Sequence, residues 1–239
     1  LLLIMLQLSC NKDDSAGPEY GTVADIEGNV YKTVKIGDQE WMAENLRVTH
    51  YNTGITAQDA IPLIVDDNEW ENLGSIGTAA YCYYDGDLNK LPVYGALYNG
   101  YAVKSGKLAP KGWHVPTDED WERLRNYLIA NGYNYDGSTV ENKVAKSLAS
   151  KTEWKYSQLE GTIGKTIEMN NKTGFNALPA GYRQSLGYYD GSGGRAVFWS
   201  SSLQNTERSG WNLYYESDLL IGPHPNNQLT GFSVRCVKD

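Results

Sequence analysis

Apolar and polar residues alternate between positions 22 and 37. Val23, Ile26, Val30, Tyr31, Thr33, Val34 and Ile36 carry the apolar set, and Gly28-Asn29 and Gly37-Asp38 break it. A period of two interrupted by Gly-Asn and Gly-Asp predicts the start of a β-hairpin. Gln39 to Val48, with Trp41, Met42, Leu46 and Val48, reads as another strand or extended segment. Residues 50–78 are polar and broken, with Asp66-Asp67-Asn68-Glu69 in the middle, and read as a long surface excursion. Tyr81-Cys82-Tyr83-Tyr84 is a short aromatic strand ending at Asp85-Gly86-Asp87, and Tyr94–Asn99 and Tyr101-Ala102-Val103 follow. The period then changes. Trp121, Leu124 and Leu128 share one helical face, Thr117 is the expected N-cap, and Asp118, Glu119 and Asp120 fill the first turn, where carboxylates meet free N–H groups. Thr117 with Asp120 approximates a capping box, and Asn131-Gly132 closes the helix. Ser138 and Glu141 repeat that spacing before Val140, Val144 and Leu148, predicting a second helix over 138–149. From residue 172 the pattern is again β, with strands expected at 175–178, 197–199, 211–215 and 232–237. Strands around a two-helix middle without regular βαβ alternation argue for an α+β fold.

A chain of 239 residues fits one large domain or two small ones and can bury a core unaided. Twenty-five Gly and 18 Tyr against 3 Phe suggest turns, short strands and amphipathic aromatic surface. The formal net charge of -8 repels phosphate backbones, so nucleic acid is not an expected partner.

The first nine residues, Leu1 to Ser9, are nearly all apolar but too few for a bilayer span of about 20. They suit the end of a signal-peptide core; the basic flank is missing and residue 1 is not Met, so the true start is expected upstream. Ser9-Cys10 resembles the lipobox of bacterial lipoproteins, with Gln7 where Leu is usual; an ordinary secretory cleavage beside a bystander cysteine is the alternative. Asn11-Lys12-Asp13-Asp14-Ser15 resembles the charged export tag of surface-exposed Bacteroidetes lipoproteins. The expected organisation is a signal remnant (1–9), lipidated Cys10 with a flexible tether (10–21), and one domain (22–239). Localisation is then the outer membrane, lipid-anchored and facing outward.

Six segments occur in family order. They are Glu40–Leu46, Ala80–Asp85, Tyr94–Asn99, Pro110–Thr117, Leu178–Arg183 and Gly231–Val237. Together they resemble the Fibrobacter succinogenes major paralogous domain over about residues 30–238, with Gly100 standing where that family often has Trp. The Gly112–Thr117 block and the terminal Phe232–Cys236 also resemble the formylglycine-generating, sulfatase-modifying proteins, which implies a C-type-lectin-like fold. That enzyme's closely spaced pair of reactive cysteines is missing, so its activity is not implied. Fold alone does not give function.

Cys82 and Cys236, on strands of an exported chain, suggest one disulfide worth about 2–4 kcal/mol; two buried free thiols are the alternative. Asp85, Asp87 and Asn89 open like a calcium loop, but Lys90 and Ala96 occupy its Gly and Glu places. The Glu-Pro-Asn and Gln-Pro-Asp signatures of calcium-dependent lectins are absent. His50, His114 and His224 lack metal-ligand spacing, and His114 is expected to make an internal hydrogen bond. Nothing in the sequence pairs Glu40, Glu44, Glu153 and Glu216 for glycoside hydrolysis. No cofactor, metal or catalytic residue is expected. The Gly-rich stretch Tyr188–Arg195 lacks the signature of a phosphate loop. With Trp211 and Tyr214 nearby, it makes Tyr188, Tyr189, Arg195, Trp211 and Tyr214 the candidate ligand contacts, with Trp211 alternatively in the core. The expected function is a non-catalytic, surface-displayed binding or adhesion module with a glycan ligand. A structural or interaction subunit of a surface assembly is the alternative, and a glycan-active enzyme a distant third.

Overall fold

The computed structural model describes residues 17–239. The expectations for the signal remnant, for lipidation of Cys10 and for the charged residues 11–15 lie outside the described residues. In chain order the strands are β1 (Tyr20–Ala24), β2 (Val30–Ile36), β3 (Gln39–Met42), β4 (Tyr81–Cys82), β5 (Leu97–Asn99), β6 (Trp113–His114), β7 (Ala180–Arg183), β8 (Tyr189–Ser192), β9 (Arg195–Gln204), β10 (Glu207–Tyr214), β11 (Ile221–Asn226), β12 (Gly231–Phe232) and β13 (Val237–Lys238). The helices are α1 (Asp67–Ile76), α2 (Leu91–Tyr94), α3 (Gly100–Lys104), α4 (Asp118–Ala130) and α5 (Ala145–Leu148). One sheet runs β1-β2-β3-β13-β6, and the other β11-β10-β9-β7-β12-β5-β4 with β8 on β7. The fold is α+β.

The expected hairpin is β1-β2, and β3 continues it, with Val34 opposite both Tyr20 and Trp41. Its first strand starts inside the stretch read as tether, where Pro18 and the Tyr20 hydroxyl close on Gly174. Helix α4 forms as predicted. The Thr117 hydroxyl accepts from Asp120 N (3.1 Å), Asp120 Oδ2 accepts from Thr117 N (2.8 Å), and Trp121, Leu124 and Leu128 are buried.

Three expectations of secondary structure are corrected. The acidic run at 66–69 opens helix α1, with Asp66 accepting from Glu69 N (2.9 Å). Trp70 and Leu73 are its buried residues, too sparse a stripe to announce a helix. The second predicted helix shrinks to α5. Glu141 has φ +63°, Val140 is exposed, and the Ser138 hydroxyl turns to Asp136 Oδ1 (2.6 Å), so side-chain bonds there favour a turn over helix. The run 175–178 contributes a single bridge, Ala149 with Ala177, and the terminal run is split into β12 and β13.

The disulfide is also corrected. Cys82 and Cys236 are both free and buried. On β4, Tyr81 faces the cluster that holds Cys236, whereas Cys82 points the other way, toward Trp70, Tyr84 and Leu97. Strand alternation therefore puts the two sulfurs in different cores. Burial pushes the Cys82 thiol up to about 11 and raises Cys236 as well.

Three hydrophobic clusters result. The first lies between α4 and the two sheets, where Trp41, Trp121, Phe175, Phe198 and Trp211 form a continuous aromatic network. The second, around Met42, Tyr98, Trp199, Phe232 and Cys236, takes the opposite side of β9. The third sits under α1.

Two buried arginines brace these clusters. Arg183 donates to the carbonyls of Gly187 (2.8 Å), Ile64 (2.6 Å), Val65 (2.9 Å) and Asp66 (3.1 Å) and to Asp67 Oδ1 (3.0 Å), lying between Trp70 and Tyr189. Arg235 donates to Asn45 Oδ1 (2.8 Å), to Phe175 O and to Asn176 O (2.9 Å).

His114 makes the expected internal bonds, to Asp120 Oδ2 (3.1 Å) and Asp239 Oδ1 (2.7 Å). Burial alone would depress its pKa, but the bonds to Asp239 and Asp120 outweigh burial and hold it above the ordinary value. A histidine raised on folding contributes stability that is complete below its unfolded pKa of about 6.5 and is lost as pH rises through its folded pKa. Urea midpoints should therefore fall as the buffer is taken from pH 6 to pH 9. His114→Gln should flatten that slope; an unchanged slope would show that the bridge does not contribute.

Candidate functional site

Strands β9 and β10 are paired with Ala196 opposite Leu213, Val197 opposite Asn212, and Phe198 opposite Trp211. Because side chains alternate, Ala196, Phe198, Trp211 and Leu213 enter the first cluster, while Val197 and Asn212 face the other way. That second face carries an open cleft of about 400 Å³, within the usual size range of ligand sites. Val197 and Phe232 belong to its apolar base, and Tyr182 stands against Phe232 edge-on at 5.9 Å. Gln184 and Ser185 follow Tyr182 on one wall; Asn212, His224 and Asn226 make the other; Thr230 and Arg195 complete it. A Cβ on Gly210 would stand 3.0 Å from the Phe232 ring and 2.7 Å from Asn226 Nδ2, so glycine here keeps the base open.

The polar groups are chemically mixed. Asn212, Asn226 and Gln184 offer both donors and acceptors, and Asn226 Nδ2 is already held by His224 O (2.7 Å). The Tyr182 hydroxyl donates to Asp190 Oδ2 (2.9 Å), and burial together with that carboxylate keeps the phenol protonated by raising its pKa. The exposed Arg195 guanidinium lies 5.3 Å from the Tyr214 ring and 5.9 Å from that of Tyr182.

Of the five expected contacts, the cleft gathers one, Arg195. Tyr214 stands behind it, its hydroxyl donating to Glu216 Oε2 (3.1 Å). Tyr188 is exposed between β7 and β8 and does not line the cleft. Tyr189 turns inward onto Tyr84 and Arg183, with its hydroxyl buried. Trp211 is fully buried, because alternation sends it to the opposite face from Asn212. Sequence reasoning missed Tyr182, Gln184, Asn212, His224, Asn226 and Phe232. Asn212 had a usable signal: a lone polar residue between Trp211 and Leu213 on a strand points away from the core. His224 and Asn226 did not, since Pro223 and Pro225 argue against a strand, and β11 escapes that rule by lying at the sheet edge.

The other acids and cavities are otherwise engaged. Asp85 pairs with Lys90 (2.6 Å), and Asp87 accepts from Asn89 N (2.9 Å), as expected of a charged turn. Glu40 pairs with Lys238 (2.8 Å), Glu153 accepts from Tyr94, and Glu216 from Tyr214, none of them in the cleft. A second cavity of about 430 Å³ includes Lys146, Lys165 and Lys172. Its buried Lys146 is spent on the carbonyls of Thr162 (3.1 Å), Lys165 and Thr166 (3.3 Å), which ties that loop down.

Compared with known proteins, residues 34–238 match the family described as the Fibrobacter succinogenes major domain. No curated protein and no solved structure matches the chain.

Proposed function

The chain belongs to the Fibrobacter succinogenes major domain family, and on that premise we propose that it is a non-catalytic, saccharide-binding module of a lipid-anchored surface protein. Cys10 would carry the lipid, in an outer membrane and facing outward, and the architecture would be C-type-lectin-like. The observation that carries the reading is the cleft itself. Tyr182, partly exposed and backed by the buried Phe232, offers an apolar surface to the face of a sugar ring, and the side-chain amides of Gln184, Asn212 and Asn226 match ring hydroxyls as both donors and acceptors. Among the described residues no carboxylate lines the cleft, so the paired acids of glycoside hydrolysis have no counterpart among them there.

The test is a glycan array probed with the full chain and with Asn212→Leu. Asn212 faces the cleft, so leucine there should weaken binding at least tenfold, about 1.4 kcal/mol, while the thermal midpoint shifts little. A blank array with folded protein would overturn the reading and favour a protein partner, sought next by pull-down from cell envelopes.

A further inference from the structure

We propose that the saccharide held in this cleft is an acidic one, its carboxylate taken by Arg195. The inference rests on the saccharide reading and names the ligand class. The chain has 29 acidic residues against 21 Lys and Arg, yet among the described residues the cleft lining contains no Asp or Glu and contributes Arg195 and His224. The sign of the surface is inverted locally, and an anion entering the cleft meets no like charge on its walls.

Arg195 is the more telling of the two. Arg183 and Arg235 donate to several interior acceptors, Arg123 pairs with Asp38, and Arg125 bonds Gly222 O and pairs with Glu122. Among the described residues, Arg195 is the one arginine with neither a hydrogen bond nor an ion pair, its contacts being the rings of Tyr182 and Tyr214. Those rings hold the guanidinium at the cleft without using its N–H donors. A planar fork positioned in this way suits the two oxygens of a carboxylate. Asp190, whose charge reaches Arg195 without pairing with it, is occupied by the Tyr182 hydroxyl and by Gly191 N (2.6 Å). With the carboxylate at Arg195, the ring hydroxyls of the same sugar would fall to Asn212, diagonal to Arg195 on the paired strand, and to Asn226 on the strand beyond it.

The experiment uses oligosaccharides of galacturonic, glucuronic and mannuronic acid, each paired with its carboxyl-reduced neutral form, titrated calorimetrically into the full chain. At least one acidic form is expected to bind tenfold or more tighter than its reduced partner. Arg195→Gln should erase that difference without moving the thermal midpoint, since the residue is exposed, and Arg195→Lys should restore only part of it. If acidic and reduced forms bind alike, or Arg195→Gln leaves the preference intact, this inference falls while the saccharide reading stands. If neither form of any sugar binds the folded protein and the glycan array is also blank, both fall.

Discussion

Arg235→Ala is expected to cost about 3–5 kcal/mol of folding stability, much of the 5–15 kcal/mol typical of a domain. The residue lies fully buried against the rings of Phe175 (4.4 Å) and Phe198 (5.4 Å). Burial pushes its pKa down to about 9, so it still carries its charge at neutral pH. No carboxylate pairs with it among the described residues; its partners are Asn45 Oδ1, Phe175 O and Asn176 O. Truncation strands these three acceptors, each costing about 1–3 kcal/mol if left dry, and opens a cavity as well. Arg235→Met fills the cavity but not the acceptors, and should recover only part of the loss. Arg235→Lys gathers its donors on one nitrogen, whereas the three acceptors are met by three separate nitrogens of the guanidinium, and should also be destabilised. Urea melts at pH 7 decide the matter. A methionine variant as stable as the parent would show that the lost packing, and not the bonding, sets the cost of the alanine change.

Trp211→Ala should be comparably severe, about 3–5 kcal/mol. The indole stacks on Trp121 at 5.9 Å and 16°, and its Nε1 donates to Asp118 Oδ1 (3.0 Å) at the start of α4. Gly222 packs against the indole so closely that a Cβ there would come within 2.6 Å of Cδ2. Removing the ring takes the centre from the first cluster and strips a partner from Asp118. Trp211→Phe, which keeps a ring but loses the N–H, should cost less. The consequence for function is direct. Loss of ligand binding in Trp211→Ala would report a damaged core, whereas loss in the neighbouring Asn212→Leu, with the melt intact, would report the cleft. A Trp211→Ala protein with a parental melt and no binding would return Trp211 to the site.

The parts of the fold legible in the sequence are those whose signal is local. The capping box of α4 needs only Thr117 and Asp120 three residues apart, and its buried stripe needs only the helical period of Trp121, Leu124 and Leu128. The alternation of Val30–Ile36 similarly announces β2. The misleading parts are those where the same local signal serves two structures. Ser138 and Glu141 have capping-box spacing, but Asp136 captures the serine hydroxyl and Asn134 the Val140 carbonyl (2.9 Å), so the chain turns instead. Density of aromatics near Tyr188–Tyr215 pointed to the third of the chain that carries the cleft, but four of the five residues it singled out lie off the cleft lining. Composition does not say which side of a strand a ring occupies.

The sequence by itself determined the α+β class, the family, the principal helix and the first hairpin, because each depends on contacts a few residues apart or on motifs read in order. Tertiary structure alone decided the rest. Arg183 and Arg235 became internal braces because distant backbone carbonyls converge on them. Cys82 and Cys236 stayed apart because β4 turns them toward different cores. The cleft arose where β7, β9, β10, β11 and β12 meet, strands brought together by pairings as long in sequence as Gly231 with Arg183. A site assembled across such separations has no period or spacing of its own. It exists only once register has chosen which side chains share a face.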